Sequence, residues 1–163
     1  MKWSLKRHCS ERDYILFLLG IHTGLRISEL LSLKVKDIKG KTEATMKEGR
    51  KKKPRIIPLD EVCQEVAAYI DTIDGVWLFP SRKGDKPISK IQAYRQLKKA
   101  AEMVDIESVG THTMRKTFGY WFYERTKDLA ALQEILNHSH PEATLKYIGI
   151  PNGEQSSFND YVL

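Results

Sequence analysis

His112 and Arg115 stand three residues apart in the stretch HTMR, and near the start of a helix such a pair shares one face. An imidazole can move a proton and a guanidinium can pair two oxygens at once, so together they suit a phosphate group. Three more residues belong with them by type. Arg26 follows a Gly-Leu turn in HTGLRISELLSLKVKDI, His138 lies in LNHSH, and Tyr147 follows nine residues later in TLKYIGI. Each alone has a plain structural role. An HxxR pair arises by chance in basic proteins, an arginine stem can lie along a surface, a histidine flanked by Asn137 and Pro141 can end a helix, and a tyrosine can line a core. Their occurrence in one chain, in this order, raises the question whether Tyr147 is a nucleophile.

The elements that must position these residues are mostly helices. SERDYILFLLGIHTG begins with the N-cap candidate Ser10, carries Glu11 and Asp13 in its first turn, where the helix dipole favours them, and stops at Gly24. RISELLSLKVKDI places Ile27, Leu30 and Leu31 at helical spacing, with Ser28 or Thr23 as a start signal. Between Gly40 and Leu59 the text changes to KTEATMKEGRKKKPRIIPL, two short runs flanking a basic centre, which predicts a β-hairpin with a cationic tip. Asp60 then caps a helix to about Ile73 with Val62, Val66, Ala67 and Ile70 on one face. Val76 to Phe79 reads as a short extended piece within a loop, and Ser89 opens the next helix. Further helices are expected over His112–Tyr123, Asp128–Leu136 and Pro141–Tyr147. The fold class is α+β, mostly α, with one small antiparallel sheet.

Length and composition bound the function. The 163 residues, 41% of them hydrophobic, fit one compact domain, and a net charge of +6 suggests a polyanionic partner. Cys9 and Cys63 match no zinc-ligand spacing and are too few for a secreted disulfide scaffold, which suggests a reducing cytoplasm. The longest apolar run, Tyr14 to Ile21, is too short for a bilayer and no signal peptide precedes it. A soluble, cytoplasmic protein is the expectation.

Taken in order, TGLRISELLSL, a basic hairpin, HTMR, LNHS and TLKY resemble the catalytic domain of tyrosine recombinases, the phage-integrase and Xer-type family. The resemblance covers roughly Glu11 to Ile150. It implies that Arg26 is the first catalytic arginine, His112 and Arg115 the His-x-x-Arg pair, His138 the second histidine position and Tyr147 the nucleophile. LNH stands where the family more often has Leu-Gly-His, and asparagine tolerates the left-handed backbone that this glycine serves. Tyr120 and Tyr123 fit a core face better. By this resemblance the arginines clamp the non-bridging oxygens, His138 donates a hydrogen bond to them, and His112 handles the tyrosine proton. The product is a 3′-phosphotyrosyl link with a free 5′-hydroxyl. One phosphodiester is exchanged for another, so no cofactor, ATP or metal is required.

The family also places a lysine on the hairpin to protonate the leaving 5′-oxygen. Counting back from RIIPL lands on Arg50, a poor proton donor, whereas counting forward from Gly40 lands on Lys47. Lys47 is the assignment and Lys51 the reserve. Arg50, Lys51, Lys52 and Lys53 are expected to touch DNA phosphates, although a solvated charge cluster would have the same composition. The N-terminal clamp domain usual in the family is not expected, since Arg26 stands so near the start. The partner is double-stranded DNA, with tetramers on paired sites. In the tail, Pro151, Asn152 and Gly153 read as a linker and Ser156 or Ser157 as a cap. Phe158, Tyr161 and Val162 form an apolar stripe that either docks on a neighbouring subunit or folds back. Other readings are a type IB topoisomerase, an inactive DNA-binding relative, and a metal site from His112, His138 and His140, which lacks a partner pair of ligands.

Overall fold

The computed structural model describes residues 1–47, 54–83 and 85–150. At its centre lies α2 (Glu11–Thr23). This helix is apolar on nearly every side, with Tyr14 through Leu19 each at most 5% exposed, the pattern of a helix enclosed by others. Ser10 and Asp13 close a capping box at its start, and Gly24 ends it in the left-handed conformation at φ 62°. A side chain at Gly24 would strike the Phe118 ring, so both backbone and space require glycine there.

Around it pack α1 (Lys2–His8), α3 (Ile27–Leu31), α5 (Cys63–Ile70), α6 (Lys90–Glu102) and α7 (Thr113–Thr126). Helix α4 (Val35–Ile38) leads into an antiparallel pair, β1 (Glu43–Lys47) with β2 (Pro54–Pro58), in the register Lys47 to Pro54 and Met46 to Arg55. Helices α8 (Leu129–Leu136) and α9 (Pro141–Ile148) close the domain against α7. The α+β, mostly helical architecture and the small antiparallel sheet follow the sequence reading.

Several details differ. The single helix expected after Arg26 is two short ones, because the chain unwinds at Leu33 and Lys34 to pair with the 76–79 segment: Val35 donates to Val76 (3.0 Å) and Leu78 to Leu33 (3.0 Å). Neither Thr23 nor Ser28 starts α3. Arg26 is its N-cap, while the Thr23 hydroxyl donates to the Leu19 carbonyl at 2.6 Å. The helix after Asp60 begins as a 3-10 turn and ends at Ile70. Its buried face uses Tyr69, whose hydroxyl donates to Leu78, and Ala67 is exposed. Helix α7 runs three residues past Tyr123, and α1, absent from the sequence reading, is held by Leu5 in the core and a Ser4 hydroxyl bond to the Ala100 carbonyl (2.7 Å). Residues 48–53 and 151–163 lie outside the described residues, and with them Arg50, Lys51, Lys52, Lys53 and the tail's apolar stripe.

Candidate active site

Arg26 stands where α2 hands over to α3. Glu29 reaches back to it twice: Oε2 accepts from the Arg26 backbone N–H (2.6 Å) and Oε1 from its Nη1 (3.1 Å). The carboxylate closes the first turn of α3 and aims the guanidinium, whose side chain stays 39% exposed. Arg115 lies in the first turn of α7 and is buried, at 3% exposure. Its two terminal nitrogens donate to the Gly24 carbonyl and to the Leu136 carbonyl (3.0 Å). Both acceptors sit at helix C-termini, where carbonyls lack intrahelical partners and carry partial negative charge. Arg115 therefore ties the loop bearing Arg26 to the turn bearing His138.

That turn exists because Asn137 adopts φ 52°, ψ 51° and lets the chain reverse after α8, the left-handed conformation anticipated from LNH. Gln133 then holds His138 by both its backbone groups: the His138 N–H donates to the Gln133 carbonyl (3.0 Å) and Gln133 Nε2 to the His138 carbonyl (3.1 Å). The imidazole Nδ1 lies 3.0 Å from the hydroxyl of Thr144, which is fully buried on α9. Tyr147, one turn farther along α9, meets the His138 ring edge-on with centroids 5.1 Å apart.

Electrostatics join the four residues. Burial pushes the Tyr147 phenol above its ordinary value, and the positive charges of Arg115 and Arg26 pull it back. Burial holds His138 below the usual histidine range, and the same two arginines add to the effect. The structure thus brings Arg26, Arg115, His138 and Tyr147 to one site. His112 is the exposed N-cap of α7, one helical turn before Arg115. Lys47 ends β1 opposite Pro54. Among the described residues no group of three His, Cys, Asp or Glu side chains could hold a metal ion, and no helix is long and apolar enough to cross a membrane.

Four participants escaped the sequence reading. Glu29 carried a local signal, an acidic residue at the third helical position after Arg26. Thr144 shares the buried face of α9 with Ile148, one turn on. Lys116 places its ammonium 5.8 Å from the Tyr147 ring centroid. Arg55, on β2, donates to the Thr23 carbonyl (2.5 Å) and the Ile135 carbonyl (3.5 Å). Contacts between residues so distant in the chain leave no local pattern to find.

Comparison with known proteins identifies the family and the fold. The family model described as "Phage integrase family" matches residues 2–151. A "Probable integrase/recombinase YoeC" of Bacillus subtilis (strain 168) is 51% identical over 143 residues, covering 86% of this chain and 79% of that protein. The "Tyrosine recombinase XerA" of Pyrococcus furiosus is 34% identical over 142 residues, covering 83% of this chain and 49% of its own. The chain thus spans about half the length of this Xer relative. The crystal structure of XerA recombinase superposes with a TM-score of 0.77 at 22% identity, over 93% of this chain and 57% of that one. A post-cleavage complex of XerH site-specific recombinase with palindromic difH substrate gives 0.72 at 20% identity, over 93% and 47%. The chain belongs to the phage integrase family and has the catalytic-domain fold of its tyrosine recombinases.

Proposed function

We propose that this chain is the catalytic domain of a site-specific recombinase that cuts and rejoins double-stranded DNA through Tyr147. The observation that carries the proposal is that Arg115 joins the segment bearing Arg26 to the turn bearing His138, whose ring, anchored by Thr144, meets the partly buried Tyr147 ring edge-on at 5.1 Å. A phosphodiester entering there meets Arg26 and Arg115, whose guanidinium groups neutralise the charge that grows on the non-bridging oxygens as phosphorus becomes five-coordinate. The tautomer in which Thr144 donates to Nδ1 leaves the ring proton of His138 on Nε2, ready to donate to one of those oxygens. The Tyr147 oxygen forms a bond to phosphorus as the bond to the 5′-oxygen breaks. His112 receives the phenolic proton, and Lys47 supplies a proton to the departing oxygen.

Because burial raises the phenol's pKa, Tyr147 is protonated at neutral pH and needs this assistance. The phosphotyrosyl bond retains the energy of the bond broken, so rejoining requires only attack by a 5′-hydroxyl. Exchange of strands between two sites needs more than one active site, which motivates self-association on DNA as part of the same proposal. The net positive charge favours the polyanion.

The test is a pool of nicked duplexes with randomised sequence, in which cleavage near the nick releases a short fragment and traps the enzyme. An SDS-resistant protein–DNA band is expected. Binding without such a band would identify an inactive DNA-binding relative.

A further inference from the structure

We infer that Arg55 is a positioning residue that fixes the β-hairpin against the catalytic centre; the inference rests on the recombinase reading above. Strand parity places it. In β2, Ile57 is buried while Ile56 is 62% exposed, so Arg55, two residues from Ile57, faces the body of the protein. Across the ladder it pairs with Met46, the neighbour of Lys47. From there its guanidinium crosses to two helix ends, donating to the Thr23 carbonyl at the close of α2 (2.5 Å) and to the Ile135 carbonyl in the last turn of α8 (3.5 Å). Its charged carbon lies 5.9 Å from the centroid of the Phe118 ring on α7, within the range of a cation–π contact.

The acceptors give the arrangement its meaning. Arg115 takes the next carbonyl along in both places, Gly24 after Thr23 and Leu136 after Ile135. Two arginines, one from α7 and one from the sheet, therefore hold consecutive peptides of the segment leading to Arg26 and of the segment leading to His138. Arg115 lies close enough to act on the phenol and imidazole charges. Arg55 instead carries the sheet. A fork of donors spanning two fixed carbonyls leaves the hairpin little freedom to tilt, so the end of β1, where Lys47 stands, keeps a constant relation to Arg26, His138 and the tyrosine that follows.

A residue that places the leaving-group acid has a chemical signature that a merely structural residue lacks. Replacing the bridging 5′-oxygen by sulfur makes the leaving group a thiolate, which departs without a proton. Adduct formation is measured for Arg55→Met, which keeps an apolar stem and removes the donors, on matched oxygen and 5′-phosphorothiolate nicked duplexes. The variant is expected to be slower by about tenfold or more on the oxygen substrate, as for a misplaced catalytic group. On the sulfur substrate it should come within about threefold of the unmodified protein, since no general acid is then needed. The Lys47→Ala/Arg55→Met double variant should be no slower than Lys47→Ala alone. Equal slowing on both substrates, no slowing on either, or additive losses in the double variant would each overturn the inference. Should Arg55→Met fail to fold by circular dichroism, Arg55→Lys answers the same question, because one ammonium cannot fork to both carbonyls. An unmodified protein that forms no adduct on either substrate would sink the recombinase reading itself, and the positioning role with it.

Discussion

Two apolar clusters of unequal size divide the labour of this domain. The larger gathers residues from α1 to α7 and the sheet, from Leu5 through the α2 run to Met114. Its edge bears Arg26, and through Met114 it anchors the first turn of α7, where Arg115 lies. The smaller consists of Tyr120, Leu132, Leu136, Ile148 and Ile150, with Phe118, Phe122, Tyr123, Leu145 and Tyr147 packed partly buried against it. The arginines proposed to clamp phosphate are thus set on a heavily packed body, while the tyrosine proposed to attack it rides on a small satellite. Helix α7 belongs to both, and Arg115 ties them by bonding Gly24 on one side and Leu136 on the other. Rigid charge placement lowers a barrier only if it is preorganised, whereas a nucleophile that must engage and later release DNA tolerates a less deeply packed support.

The largest expected break in this division is Arg115→Ala. Cleavage should slow by at least about a hundredfold, the usual cost of deleting a preorganised charge donor. Stability should fall by about 3 kcal/mol in urea titrations, because two buried carbonyls lose charged donors. Arg26→Ala should match that loss of rate, about a hundredfold, yet cost less than about 1 kcal/mol of stability, since its pair with Glu29 is partly exposed. Equal stability losses in the two variants would contradict the assignment of the tie to Arg115.

A medium effect is expected at Gly119, where an added Cβ would lie 2.8 Å from Ile148 Cγ2. Gly119→Ala pushes α9 from α7 and should cost about 1–3 kcal/mol, as overpacking does. Native-state amide exchange should show the loss in α8 and α9 and spare α2. The same experiment on the unmodified protein should already find α8 and α9 opening at lower free energy than α2.

Many of the candidate site positions were legible in the sequence. Arg26, His112 and Arg115 stand at helix starts, Tyr147 on a short helix and His138 in the turn after α8, where local spacing carries geometry. Asn137 was legible too, since left-handed turns select few residue types. What was hidden is long-range. Nothing near Arg55 announces carbonyls at Thr23 and Ile135, and the break at Leu33 and Lys34 follows from pairing with residues more than forty positions away. Helical spacing through RISELLSLKVKDI was a valid local preference that a tertiary ladder overrode.

The smallest effects are in titration. His138 should titrate below the ordinary histidine value by NMR, and Arg26→Ala should move it upward by removing one of the charges that depress it. A depressed histidine means the unfolded chain binds more protons, so this residue's contribution to stability is complete above about pH 6.5 and fades as pH falls through the folded value. Tyr147 runs the other way: its contribution is complete below about pH 10 and fades as pH rises through the raised folded value. A His138 value that does not move in Arg26→Ala would detach it from that arginine.

Whether Tyr147 carries the chemistry is read by trapping the protein on nicked DNA, digesting the adduct, and locating the nucleotide-bearing peptide by mass spectrometry. The modification is expected on Tyr147, with no adduct from Tyr147→Phe and DNA affinity nearly unchanged, since one oxygen and no positive charge has been removed. A nucleotide found on another residue, or an adduct persisting in Tyr147→Phe, would contradict that assignment.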